Sequence, residues 1–216
     1  MRPCVALLGG SFDPIHDGHV ALAELYQRKL SPDQLRIVPA GCPWQKGALQ
    51  ASDAQRVAMV ELAFGAAGLD VALDRQELER GAPTFTIDTL RNVRAELGEA
   101  ASIVFLIGAD QLRRLDTWRD WRELFELAHI GVATRPGFAL DDATLPAAVE
   151  TEFTRRLGSL DELRNTPSGR CHLAQELAVD VSATAIRAAL QRGERANSLI
   201  APVVLDYIEQ HNLYKN

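Results

Sequence analysis

The amino-acid sequence predicts an α/β fold in which parallel strands are joined by crossover helices. Three observations carry this. Short, continuous apolar runs have the length and character of strands buried on both faces, longer stretches of helical periodicity lie between them, and the two kinds of segment alternate along the chain. The strand-like runs are 5–8, 35–38, 71–73, 103–107 and 130–133, and the helix-like stretches are 19–30, 53–64, 87–97 and 118–127. At 216 residues and 47% hydrophobic, the chain is large enough to bury roughly 70% of its unfolded surface without disulfides or a structural metal.

Several elements have a start or stop signal of their own. The first apolar run ends abruptly at Gly9-Gly10, and Ser52 is placed to cap the helix over 53–64, with Gln55 completing a capping box. Residues 136–169 carry Pro136-Gly137, Asp141-Asp142, Pro146 and Pro167-Ser168-Gly169, so this stretch is expected as a surface excursion with a helix near 147–157. Ser182 precedes an Ala- and Leu-rich helix over 183–190, and Pro202 opens a last helix over 202–211, where its missing N–H costs nothing. One domain spanning 1–216 is expected, without internal repeats.

Charge and cysteine content exclude several classes of function. Lys and Arg number 23 against 29 Asp and Glu, a net charge of −6, and no basic stripe runs along the chain, so no nucleic-acid partner is expected. Cys4, Cys42 and Cys171 are too far apart to form a metal clip or a disulfide framework. The first apolar run is too short for a membrane span or a signal-peptide core, and a cytoplasmic protein is expected, with no membrane partner.

The chemistry concentrates in the loop after the first strand, Gly9-Gly10-Ser11-Phe12-Asp13-Pro14-Ile15-His16-Asp17-Gly18-His19. In an open α/β sheet, ligands bind beyond the carboxyl ends of the strands, which is where this loop falls. Glycines let backbone N–H groups approach an anion, and the start of the following helix adds unsatisfied N–H groups and a positive dipole end. His16 and His19, three residues apart at that helix mouth, can add donors on one side, with Gly18 keeping the space between them open. The loop is neither GxGxxG nor GxxxxGK[ST], which disfavours a hydride-transferring dehydrogenase and a Walker-type kinase. A second donor set, Ser182, Thr184 and Arg187, opens a helix far along the chain and suits polyphosphate oxygens. Gly108 and Asp110 follow a strongly apolar strand, where a carboxylate can accept from ribose hydroxyls. Among the aromatics, Trp118 could stack on a ring, with Trp44 and Trp121 as alternatives.

The loop resembles the signature of the nucleotidylyltransferase superfamily, whose HxGH motif is His16-Asp17-Gly18-His19 here. Pro43-Trp44-Gln45-Lys46, Gly81 through Leu90, Ile107-Gly108-Ala109-Asp110, Thr117-Trp118, Arg135-Pro136-Gly137 and Val181 through Arg187 are similar to segments of the bacterial nicotinate-nucleotide adenylyltransferases, and the likeness covers nearly the whole chain. The resemblance implies a doubly wound, Rossmann-like parallel sheet with helices on both faces. It further implies adenylyl transfer from ATP to nicotinate mononucleotide, with Mg2+ carried on the ATP phosphates and no dedicated protein metal cage. On the same basis His16 and His19 are catalytic. Gly9, Gly10, Ser11, Phe12, Gly108, Asp110, Ser182, Thr184 and Arg187 join them in ATP binding. Lys46, Thr86, Asp110, Trp118 and Arg135 bind the acceptor nucleotide. Two positions depart from the family pattern: Gln45 stands where many members have His, and Phe85 where Tyr is common. A sister enzyme with another phosphorylated acceptor and a non-catalytic nucleotide sensor are the competing expectations, and either a monomer or a homo-oligomer is compatible with the sequence.

Overall fold

A computed structural model describes residues 2–43, 47–134, 145–177, 181–194 and 199–215. Six strands form a single parallel sheet: β1 (Cys4–Gly10), β2 (Gln34–Pro39), β4 (Ala72–Leu73), β6 (Ser102–Gly108), β7 (His129–Ala133) and β8 (Cys171–Ala174), in the order β4-β2-β1-β6-β7-β8. A two-stranded parallel sheet pairs β3 (Cys42–Pro43) with β5 (Pro83–Thr84). The helices are α1 (Asp17–Leu30), α2 (Asp53–Ala66), α3 (Gln76–Glu79), α4 (Thr86–Leu97), α5 (Ala109–Leu112), α6 (Leu124–Leu127), α7 (Ala147–Arg155), α8 (Leu160–Asn165), α9 (Ala183–Gln191) and α10 (Pro202–Gln210). This is the parallel α/β architecture that the alternation predicts, doubly wound as the resemblance implies.

Alternation of side chains along each strand divides the core into two layers. Cys4, Ala6 and Leu8 of β1, with Val104 and Leu106 of β6, pack under α1, α2 and α10. Val5 and Leu7, with Ile103, Phe105 and Ile107, pack under α4, α6 and α7. Both rims of the sheet are short: β4 is two residues long, and the four-residue β8 is met on its outer edge at Cys171 by the chain before α8, where Arg156 O accepts from Cys171 N and Gly158 N donates to Cys171 O, each at 2.8 Å.

Two expectations are corrected. The helix expected over 118–127 is instead a 3-10 turn at Leu115–Thr117, an extended Trp118, a run of turns and only the four-residue α6. The apolar spacing that imitates a helix is real, since Trp121, Leu124 and Phe125 are all buried, but successive i to i+3 backbone bonds deliver them to the core, and Asp120 adopts a left-handed φ of 50° that interrupts any helix. The stretch 136–169 bears more core than a surface excursion would: in its described part, Val149 and Phe153 of α7 and Leu163 of α8 are fully buried. The helix expected near 147–157 is α7.

Candidate functional site

Strand β1 is the point at which the chain order reverses, with β2 on one side and β6 on the other, and the crevice beyond the carboxyl ends of β1 and β6 is where such sheets bind ligands. Gly9 and Gly10 lie at that edge. A Cβ on Gly9 would sit 3.4 Å from the Phe105 ring, and one on Gly10 only 2.8 Å from the Phe12 ring, so the loop packs tightly against its surroundings. Phe12 is fully buried with a φ of 46°, a left-handed conformation costly for a bulky residue and maintained by the contacts around it.

Buried Phe12 turns its ring edge-on to His19, with centroids 5.0 Å apart. The imidazoles of His16 and His19 stack, 3.7 Å between centroids and 20° between planes. The His16 backbone N–H donates to His19 Nδ1 at 3.3 Å, so the ring proton of neutral His19 belongs on Nε2, which is thereby a donor. The helix mouth thus presents one oriented imidazole N–H at the positive end of α1, where the Asp17 and His19 amides already donate to the carbonyls of Leu199 and His16.

The late Ser-Ala-Thr-Ala-Ile-Arg turn arrives at this same mouth. A Cβ on Gly18 would meet Val181 Cγ1 at 3.0 Å, and the Arg187 guanidinium donates to the carbonyl of Asp13 at 2.5 Å. Arg187 also donates to Thr184 Oγ1 at 3.4 Å, and Ser182 caps α9 by accepting from Ala185 N at 3.2 Å. Ser182 and Thr184 are exposed, and Ser182 retains its own hydroxyl proton to donate. The structure therefore brings together Gly9, Gly10, Ser11, Phe12, His16 and His19 with Ser182, Thr184 and Arg187.

Three residues that sequence reasoning missed hold this loop. Asp13 is 3% exposed, and its carboxylate accepts from the backbone N–H groups of Gln50 at 2.9 Å and Ala51 at 3.1 Å and from the Tyr214 hydroxyl at 2.7 Å. Arg56, fully buried on α2, donates to the Ser11 carbonyl at 2.7 Å and pairs with Asp53 at 2.6 Å. Asp13 lay inside the motif and could have been singled out. Arg56 and Tyr214 had no local signal, their partners being 45 and 201 positions away.

On the acceptor side, Trp118 sets its ring edge against Phe105 at 6.2 Å, and Phe105 is the side chain beneath Gly9, which links Trp118 to the phosphate loop through one shared neighbour. The Trp118 indole N–H is buried without a hydrogen-bond partner. Thr86 opens α4, and Arg119 lies 4.9 Å over the ring of the preceding Phe85. Gly108 caps α5, and exposed Asp110 accepts from the Gln111 side chain at 2.8 Å. Lys46 and Arg135, together with Trp44 and Gln45, lie outside the described residues. Two open grooves of about 470 and 480 Å³ lie elsewhere, along the β4 edge. In the first, Arg36 is already engaged by Glu96 at 2.7 Å, and the second, between the end of α2 and β4, mixes Phe64, Leu69 and Val71 with Glu61, Asp70 and Arg75, so the loop's convergent donors and not groove size mark the site.

Residues 7–189 match the Cytidylyltransferase-like family. The chain is 59% identical over 213 residues to a probable nicotinate-nucleotide adenylyltransferase of Herminiimonas arsenicoxydans, covering 99% of this chain and 97% of that protein. It is 44% identical to another from Chromobacterium violaceum over the full length of both. Among solved structures, Plasmodium falciparum nicotinic acid mononucleotide adenylyltransferase complexed with NaAD matches with a TM-score of 0.74 at 19% identity, covering 99% of this chain and 98% of that one, which supports the fold. The chain belongs to the nicotinate-nucleotide adenylyltransferase family of cytidylyltransferase-like enzymes.

Proposed function

We propose that this protein transfers the adenylyl group of ATP to nicotinate mononucleotide, giving nicotinate adenine dinucleotide and pyrophosphate in NAD biosynthesis. The observation that carries this is the convergence of the β1 loop and the 181–187 turn on the stacked His16–His19 pair. A 5′-phosphate oxygen of the acceptor attacks the α-phosphorus of ATP, a new P–O bond forms, and the bond to the β-phosphate bridging oxygen breaks as pyrophosphate departs. The nucleophile is already an anion, so the protein supplies alignment and charge stabilisation and needs no strong base.

In this scheme His19 donates through Nε2 to α-phosphate oxygens, and His16, stacked on it, fixes its plane and supports the triphosphate. Gly9 to Phe12 contribute loop amides. Ser182 and Thr184 donate to the outer phosphates, while Arg187, by holding Asp13, ties their turn to the loop as it adds positive charge. Gly108 and Asp110 border the ribose, and Thr86 and Trp118 the pyridine ring, where the partnerless Trp118 N–H is a donor available to a ligand. Lys46 and Arg135 complete the acceptor phosphate contacts. The side chains gathered around the phosphates are donors rather than anionic oxygen ligands, and among the described residues no cluster of His, Cys, Asp or Glu is built to hold a metal. This donor set suits Mg2+ bound through the ATP phosphates, where the ion would neutralise charge on the triphosphate.

Residues 1–216 act as a single nucleotidylyltransferase domain, working in the cytoplasm without a nucleic-acid or membrane partner. Among the described residues no helix is long and apolar enough to cross a membrane.

The test is pyrophosphate release from ATP with nicotinate mononucleotide, nicotinamide mononucleotide or phosphopantetheine as acceptor, the first being preferred. His19→Ala is expected to lower turnover roughly a hundredfold with little change in melting temperature, the scale for one preorganised donor. Parental turnover in His19→Ala would remove that residue from the mechanism, and ATP binding without pyrophosphate release in the parent protein would make it a sensor.

A further inference from the structure

We infer that Tyr214 is a positioning residue for the phosphate loop, acting through Asp13. The Asp13 carboxylate is almost wholly buried and gathers three donors from two distant parts of the chain: the backbone N–H groups of Gln50 and Ala51, just before α2, and the Tyr214 hydroxyl, just after α10. Of these three, only the hydroxyl comes from a side chain. Tyr214 is itself 5% exposed, so its hydroxyl has no competing water to bond, and the 2.7 Å contact with Asp13 Oδ1 is short. The Asp13 carbonyl in turn accepts from Arg187. One residue of the loop therefore holds three elements in register: its carboxylate anchors to the start of α2 and the end of α10, and its carbonyl to α9. Removing the hydroxyl leaves a buried carboxylate one donor short and loosens the loop, which then rests on the Gln50 and Ala51 amides, Arg56 and Arg187. Tyr214 touches no reacting group. Its effect falls on the ATP side, because the amides of residues 9–12 and the two imidazoles are what Asp13 orients.

The test is Tyr214→Phe, which keeps the buried ring and deletes only the hydroxyl. The expected result is a fall of roughly tenfold in kcat/KM for ATP, the scale of one hydrogen bond to a charged acceptor, with KM for nicotinate mononucleotide unchanged. In an Asp13→Asn background, where the acceptor is neutral, the same substitution should cost clearly less. Amide exchange at residues 9–13 and 50–51 should quicken in Tyr214→Phe while the β6 amides keep their protection. Because the inference rests on the adenylyl-transfer proposal, parental turnover is measured alongside, and calorimetric binding of a non-hydrolysable ATP analogue gives a readout without turnover. A parent that releases no pyrophosphate refutes the adenylyl-transfer proposal, and the analogue's affinity then decides the role of Tyr214. Equal ATP terms in Tyr214→Phe and parent, or equal losses on the ATP and acceptor sides, would overturn the positioning role.

Discussion

Gly18→Ala should separate stability from catalysis. Gly18 is the second residue of α1 and has no positive φ, so a helix accepts Ala there, with a gain of up to about 1 kcal/mol in propensity. The new methyl would sit 3.0 Å from Val181 Cγ1 and 3.2 Å from His16 Nδ1, closer than comfortable contact, so one or both must yield by a few tenths of an ångström. In a rigid core such crowding costs roughly 1–3 kcal/mol, but Val181 is only partly buried and its turn can give way. The two effects nearly cancel, and the melting temperature should stay within about 4 °C of the parent. Activity should not escape, because the methyl displaces the His16 ring stacked on His19, the turn carrying Ser182 and Thr184, or both. Misplacement on this scale should cost about 10- to 100-fold in turnover. Pyrophosphate release and scanning calorimetry on the same preparation read the two quantities. Near-parental turnover in a normally folded Gly18→Ala would refute the assignment of this junction as the phosphate site.

Trp118→Ala should raise KM for the acceptor nucleotide roughly tenfold, the upper scale of a ring-stacking contact, while KM for ATP holds; steady-state kinetics with each substrate varied would expose an unchanged acceptor term. His129 is fully buried, with Nε2 on the Thr166 carbonyl at 2.9 Å and Nδ1 accepting from Arg170 N at 3.0 Å, and desolvation first, with nearby arginines, pushes its pKa down to about 4. Unfolding restores an ordinary histidine, so the unfolded chain binds the proton first. The stability is complete above about pH 6.5 and is lost as pH falls toward 4, at about 1.4 kcal/mol per unit and roughly 3 kcal/mol in all. Denaturant titrations at pH 7 and 5 should reveal the slope, and its persistence in His129→Gln would refute the assignment.

Legibility in the sequence followed the range of the interactions. Strands such as β1 and β6 were readable because burial on both faces makes them continuously apolar, and the α2 start was readable because Ser52 and Gln55 cap each other three residues apart, with Gln55 N donating to Ser52 Oγ at 3.3 Å and Ser52 N to Gln55 Oε1 at 2.9 Å. The equivalent box at Ser159 and Glu162 was present in the sequence but escaped notice amid the turn residues of 136–169. Strands β3 and β5 are two residues long and carry no periodicity to read, whereas the equally short β4 lies within the apolar run 71–73. Trp118 to Phe125 misled because spacing alone does not distinguish a helix from consecutive turns feeding one core. The loop chemistry was visible as a motif, whereas the contacts that hold it, Arg56 to Ser11 and Tyr214 to Asp13, exist only once the chain has folded.

The two stunted rims of the main sheet constrain how copies of this protein can meet. A two-residue strand at one rim and, at the other, a four-residue strand whose outward N–H and C=O groups are already engaged at Cys171 leave little backbone for an incoming strand to zip onto. Crowded copies are thereby steered away from fibre-like stacking and left with helix faces and loops as their meeting surfaces.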